Sequence, residues 1–186
     1  MKFDTDRIVS LSAMVVGVGS LIVVLYQTHL MRQAQRASVL PYVMIALHSN
    51  VDGVTIVVSN NGVGPALIKD VRVEKSGKTS EGDAYDYYTA LYPDSGRLSV
   101  DRMMPGRLVP AGASTKVLEV SGDGPTRAAF LARLLHTFEL AEVPRSWYAG
   151  VGATEPGKAI ILITYESVFG ERWRVRSDRA APERIQ

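Results

Sequence analysis

The sequence predicts a mainly β protein, an antiparallel β-sandwich with an inserted helix, behind a single N-terminal transmembrane helix. Three observations carry this. Residues 8–26 are an uncharged apolar run. Beyond Pro41, about six or seven short segments rich in β-branched residues are bounded by turn residues. Residues 125–138 instead repeat apolar side chains at helical spacing.

Composition narrows the class. Of 186 residues, 46% are hydrophobic and 22% charged, with a net charge of +2, which excludes a disordered chain. The 16 glycines follow no G-x-y period, so collagen is excluded. Cysteine is absent, which removes disulfides, thiolate chemistry and cysteine metal sites.

The run at 8–26 holds 19 residues, IVSLSAMVVGVGSLIVVLY. As a helix it measures roughly 28 Å, close to the ~30 Å hydrocarbon thickness of a bilayer. Residues 1–7 form its N-terminal flank, with Lys2 and Arg7 diluted by Asp4 and Asp6. Tyr26 stands where an interfacial aromatic belongs. The run exceeds the usual length of a signal-peptide core and no A-x-A site follows, so an uncleaved signal-anchor is favoured over a cleaved leader. Flanking cations number two on each side, Lys2 and Arg7 against Arg32 and Arg36. The acids near the N-terminus ease its translocation, so the expectation leans to a cytoplasmic domain. Ser10, Ala13, Gly17 and Ser20 fall at 3-4-3 spacing, a seam of small residues on which a second copy or another membrane protein can pack.

Residues 27–40 read as a helical stalk and linker, ended by the extended conformation that Pro41 imposes on Leu40. The sandwich is expected over 41–176. Strands are expected at 42–47, 54–59, 66–74, 116–120 and 159–165, and around Trp173 and Val175, with an irregularity near Lys69 and Asp70. Turns are expected at Asn60–Gly62, Ser76–Gly77 and Phe169–Gly170. The segment 83–91, with Tyr85, Tyr87 and Tyr88, fits a short helix or an irregular strand. Phe130, Leu131, Leu134, Leu135 and Phe138 make the stripe of a helix near 125–138 that caps the core, with Pro125 at its start. Residues 177–186 read as a flexible tail.

Asn60, Gly62, Gly64 and Pro65 lie in the stretch NNGVGPA between two strands. They read as a structural turn that sets strand register: the glycines reach dihedrals closed to other residues, Asn60 bonds nearby backbone and Pro65 opens the next strand. The stretch resembles the N-x-G-x-G-P-A turn of uncharacterised bacterial membrane-anchored proteins with one N-terminal transmembrane helix and an immunoglobulin-like β-sandwich. The late segment TYESVFG is similar to the Y-x-D-x-x-G at the end of a strand in such chains, with Glu166 and Ser167 in the region of the acid. The resemblance implies an immunoglobulin-like fold and a bacterial inner (plasma) membrane location. It implies no reaction.

Catalytic patterns are missing. The histidines are His29, His48 and His136, and no H-x-x-x-H spacing occurs. No G-x-S-x-G elbow or phosphate loop is present. Asp94, Asp101 and Glu119 are isolated along the chain. Asp52 and Gly53 read as a hairpin turn. No catalytic residue, metal ligand or cofactor is therefore expected, and the chain reads as a non-enzyme. The segment 92–115 is long for a sandwich connection and carries Arg97, Arg102 and Arg107 with Met103 and Met104. It is a candidate contact for anionic lipid or an acidic protein partner, against the plainer reading of solvated arginines around buried methionines. Interrupting acids and the small net charge argue against nucleic acid.

Two functions fit. The first is a membrane-anchored, non-catalytic interaction or accessory subunit that presents its β-sandwich to a protein partner. Its partners would be the lipid bilayer and a membrane protein or a homo-oligomer joined through the transmembrane helix. The second is a membrane-tethered ligand-binding or sensory domain signalling through its stalk, with a pocket between the 125–138 helix and the tyrosine segment.

Overall fold

The computed structural model describes residues 5–50, 53–93, 98–121, 124–143 and 157–185. The chain divides into two compact units, Met1–Ser38 and Val39–Gln186.

The first unit is helix α1, Thr5–Ala37, 33 residues without a break. At 1.5 Å per residue it is about 50 Å long, so the apolar run and the stalk form one rod. Ser10 and Ser12 donate to the carbonyls of Asp6 and Val9 at 2.8 and 2.9 Å, and Thr28 to that of Val24 at 2.8 Å. Their hydroxyls are satisfied within the helix, as an apolar surrounding requires. The helix is long and apolar enough to cross a membrane, and its large apolar side chains from Ile8 to Tyr26 are all exposed.

The second unit is mainly β, with two antiparallel sheets. One has the order β1-β2-β6, from β1 (Val43–Ser49), β2 (Gly53–Asn60) and β6 (Ser114–Ser121). The other has the order β4-β3-β7-β8-β9, from β3 (Ala66–Lys75), β4 (Lys78–Glu81), β7 (Ile160–Glu166), β8 (Arg172–Arg176) and β9 (Glu183–Ile185). The short β5 (Leu108–Val109) also pairs with β3. β1 and β7 alternate buried and half-exposed positions, the period of strands with one face on a core. β2 is buried at nearly every position because it is the middle strand of its sheet. The expected irregularity in β3 is a register shift between Ile68 and Asp70.

Both sheets contribute to one core, with Val43, Ile56 and Leu118 from the first and Ile68, Ile163 and Val175 from the second. Among the described residues two helices are inserted. α2 (Ala84–Leu91) resolves the ambiguity of the tyrosine segment. α3 (Gly124–Thr137) buries Phe130, Leu134 and Leu135, followed by Phe138, the stripe that its spacing foretold. The helices meet through rings. Tyr88 lies 5.4 Å from Phe130, edge-on, and Tyr87 lies 5.9 Å from Phe138. At Tyr87 and Tyr88 the space between the helices is filled by aromatic packing, while at their C-terminal ends Leu91, Tyr92, His136 and Thr137 line a cleft of about 230 Å³.

The tail departs from expectation. Residues 183–185 form β9, which extends the sheet beyond β8, with Arg184 opposite Trp173 and its guanidinium 6.0 Å above the indole. Three residues, two of them charged and of opposite sign, carry no strand signal alone and gain their pairing from β8. β4 is a second addition. Its sequence KTSE is exposed throughout and pairs only because the Ser76–Gly77 turn folds it back on β3.

Candidate functional site

The Asn60 side chain makes five hydrogen bonds. It is fully buried. Its Oδ1 accepts from the backbone N–H groups of Tyr42 and Gly62, both at 3.1 Å. Its Nδ2 donates to the carbonyls of Gly64, Val109 and Pro110 at 2.8, 3.1 and 3.2 Å. One amide therefore joins the entry of β1, the NNGVGPA turn and the end of β5, with each polar atom partnered. The two glycines of the turn have a different reason from the one expected. Neither has a positive φ. A Cβ on Gly62 would collide with the backbone of Leu40 and Tyr42, and one on Gly64 with the carbonyl of Val39. The segment 39–42 crosses too closely for any side chain. Pro65 sits one residue before β3.

The arginine segment is a strap between the sheets. Ser99 exchanges backbone bonds with Glu119 of β6, and Asp101 N–H donates to Lys116, each at 2.9 Å. Farther along, Gly106 and Arg107 bond Ile68 of β3 through their backbone, at 2.8 and 2.9 Å. Met103 is buried between these anchors, while Met104 is exposed. Arg102 donates to Asp83 at 2.7 Å and to Asp86 at 2.5 Å, and lies 5.4 Å above the Tyr85 ring. Asp83, almost wholly buried, is also the N-cap of α2, accepting from the N–H groups of Tyr85 and Asp86 at 3.1 Å. Arg107 grips Asp101 with two bonds of 2.5 Å and donates to the Arg102 carbonyl at 2.7 Å. This fork holds the Asp101 carboxyl below the usual carboxylate range, and Asp83 raises Arg102 further. Arg102 and Arg107 are thus each ion-paired with carboxylates of the same chain, Arg102 with Asp83 and Asp86 and Arg107 with Asp101. Arg97, Asp94, Asp52 and residues 122–123 lie outside the described residues.

The small-residue seam lies on one exposed side of α1. Ser10, Ala13, Gly17 and Ser20 are all exposed, and a Cβ on Gly17 would meet nothing within 4 Å. The histidines stand apart: His29 on α1, exposed His48 on β1 and exposed His136 on α3. Among the described residues no group of three His, Asp or Glu side chains is placed to hold a metal ion.

The four outer edges of the two sheets are treated differently. The free side of β6 is covered by the strap at Ser99–Asp101. β4 is short and carries Lys78 and Glu81. β9 is shorter still and carries Glu183 and Arg184. β1 has seven residues, VMIALHS, without a charge or a proline, and pairs with β2 without a register shift. The bonds from Asn61 N–H to the Tyr42 carbonyl and from Asn50 N–H to the Gly53 carbonyl fix its phase. Even-numbered residues bond β2, so the backbone groups of Val43, Ile45, Leu47 and Ser49 face outward. Tyr165 closes the first position, its hydroxyl accepting from Val43 N–H at 3.4 Å. Burial pushes that phenol up to about 12, although the Val43 bond pulls the other way. Among the described residues no strand pairs with the outer edge of β1.

A family model matches residues 8–177, from α1 to just past β8. The chain belongs to this family. Its description is Domain of unknown function (DUF8453). β9 lies beyond the matched residues. Neither a curated protein nor a solved structure matches the chain.

Proposed function

We propose that this protein is a single-pass, membrane-anchored and non-catalytic accessory subunit that presents a β-sandwich to a protein partner. The observation that carries this reading is β1, an uncharged edge strand that no strand pairs on its outer side among the described residues and that begins shortly after a membrane-length helix ends. A long, neutral, unbulged edge strand is a template for another strand, and folded proteins usually protect such edges. The partner strand would bond the outward groups of Ile45, Leu47 and Ser49. An apolar helix exposed on every side would be costly in water, at ~1.5 kcal/mol or more for each large side chain, which supports lipid as the surrounding of α1. The seam of Ser10, Ala13, Gly17 and Ser20 adds a contact within the bilayer. Strand order supports an immunoglobulin-like domain: β1-β2-β6 corresponds to A-B-E and β4-β3-β7-β8 to C′-C-F-G. The location is a bacterial inner membrane with the domain on the cytoplasmic side.

The native chain has no cysteine, so an introduced thiol reports one position. Full-length protein carrying Ser121→Cys is treated in intact cells with a membrane-impermeant thiol reagent. Protection until the membrane is opened is expected, and direct labelling would move the domain to the outside. The same cysteine then carries a photocrosslinker. A discrete crosslinked species is expected that disappears when Ala46→Lys guards the β1 edge. A bare monomer with or without the guard would overturn the strand-addition reading.

A further inference from the structure

Among the described residues, six large apolar side chains of the β unit are exposed: Val63, Leu91, Met104, Leu108, Val168 and Phe169. Scattered singly, such side chains need no explanation. Four of them, however, share one end of the unit, where β3 and β8 begin and β7 ends. The register there places Leu67 between Leu108 and Glu166, with Glu166 opposite Arg172. Val168 and Phe169 form the tip of the turn beyond that row, and Val63 belongs to the turn just before β3. The tip is held by its own bonds. Ser167 N–H donates to the Glu171 carbonyl at 2.9 Å, and Gly170 N–H to that of Ser167 at 3.0 Å. The Ser167 hydroxyl accepts from the N–H groups of Phe169 and Glu171, both at 3.3 Å. Gly170 closes the turn with a φ of 80°, a conformation that favours glycine. A bonded turn thus presents Phe169 to its surroundings, 48% exposed. The rim beside it is positive, since Lys69 at 3.3 Å and Arg172 at 3.6 Å share the single carboxylate of Glu166. The chain also enters at this end: the Leu40 carbonyl accepts from Val63 N–H at 3.1 Å, three residues after α1 ends at Ala37.

We propose that this end of the β unit docks on the bilayer, with Val168 and Phe169 entering the boundary between headgroups and acyl chains and Val63 and Leu108 beside them. Apolar side chains gathered at one place mark a contact surface. An apolar tip with a basic rim matches lipid, because the tip can enter the acyl boundary while the cations meet anionic headgroups. Lipid is also the occupant that the chain itself keeps within reach. From Tyr26 to Ala37 the helix advances about 17 Å. The headgroup layer takes up about 5–7 Å of that, and helix tilt shortens the rest. The inference rests on the reading of α1 as a membrane span. It uses neither the β1 edge nor a protein partner.

The full-length chain with one introduced cysteine is labelled with an environment-sensitive fluorophore. It is reconstituted in nanodiscs of phosphatidylcholine and phosphatidylglycerol in equal parts. Phe169→Cys and Val63→Cys report the tip, Lys78→Cys the far end of the β3–β4 hairpin, and Leu21→Cys the span. Lipids carrying a nitroxide at the headgroup or on the acyl chain serve as quenchers. Blue-shifted emission and quenching by the headgroup nitroxide are expected at positions 169 and 63, and neither at 78. Quenching at 21 with water-like emission at both tip positions would overturn the docking and leave the span in place. No quenching at 21 would overturn the span and the docking with it. The double variant Val168→Asp/Phe169→Asp, read from the label at position 63, should weaken docking at least about tenfold, the burial of two large apolar side chains being lost. Both side chains are exposed, and unchanged thermal unfolding will show that the variant remains folded. Equal quenching at 78, or unchanged quenching in the double variant, would overturn the tip as the contact.

Discussion

The arginine strap and the β3–β4 hairpin with Lys75 and Lys78 carry the same sign of charge in the β unit, yet they are built in opposite ways. On the strap each described guanidinium has its own carboxylate: Arg102 meets Asp83 and Asp86, and Arg107 meets Asp101. The pattern continues on the strands, where Arg72 pairs with Asp70, Arg176 with Asp178 and Arg184 with Glu171. Around the Ser76–Gly77 turn the lysines face one another and hydroxyls instead. A basic stretch of sequence is thus a poor guide to a basic site. What decides is whether the fold brings an acid to each cation, because a paired charge is neutral to a visitor and an unpaired one is not.

The sharpest way to break this contrast is to remove one acid from the strap. Asp83→Ala deletes both the cap of α2 and the partner of Arg102 in a buried position. A loss of about 3 kcal/mol is expected, measured by urea unfolding of the detergent-solubilised chain. Lys75→Ala should change the same unfolding free energy by less than ~0.5 kcal/mol. Equal losses would mean that the two regions are built alike.

A smaller difference should appear with pH. Asp101 is held low by Arg107, and Asp178 by Arg176. Each carboxylate therefore contributes stability above its unfolded value of ~3.9 and loses it as pH falls through the lower folded value. Replacement by Arg107→Lys keeps the charge and loses the fork, so the acid-induced decline should become shallower. Unfolding midpoints between neutral and strongly acid pH will test this. An unchanged slope would remove Asp101 from the account.

The smallest effect concerns the lysines themselves. Lys78→Glu converts a like-charge pair across the hairpin into an attractive one. A gain of about 0.3 kcal/mol at low salt is expected, fading in molar salt where screening shortens to ~3 Å. No gain at low salt would mean that the lysine pair carries no strain to relieve.

Much of the architecture was legible in the residues. The apolar run, the β-branched strands and the stripe of α3 each have a period or length that burial demands. α2 was ambiguous because tyrosines favour strands, although Asp83 ahead of Ala84 is a cap signal that favours a helix. β4 and β9 were hidden because their residues are polar and their pairing comes from neighbours. The turn glycines were legible as glycines, but the chain that crosses them belongs to a distant contact. The candidate sites were least legible. Tyr42, Gly64 and Val109 are far apart in sequence and meet at the Asn60 amide. The acids that occupy Arg102 come from before it in the chain, and no local pattern announces them.

The hub at Asn60 also has a mechanical meaning. Tension arriving along the polypeptide at Val39 first reaches the Leu40 carbonyl, bonded by Val63 N–H at 3.1 Å, and then both backbone groups of Tyr42, held by Asn60 and Asn61. These bonds lie within three residues of one another, one of them to the buried Asn60 amide, so they strain together and do not part in succession. A tug on the tether is therefore met at the doorway of the fold, before β1 is asked to peel from β2.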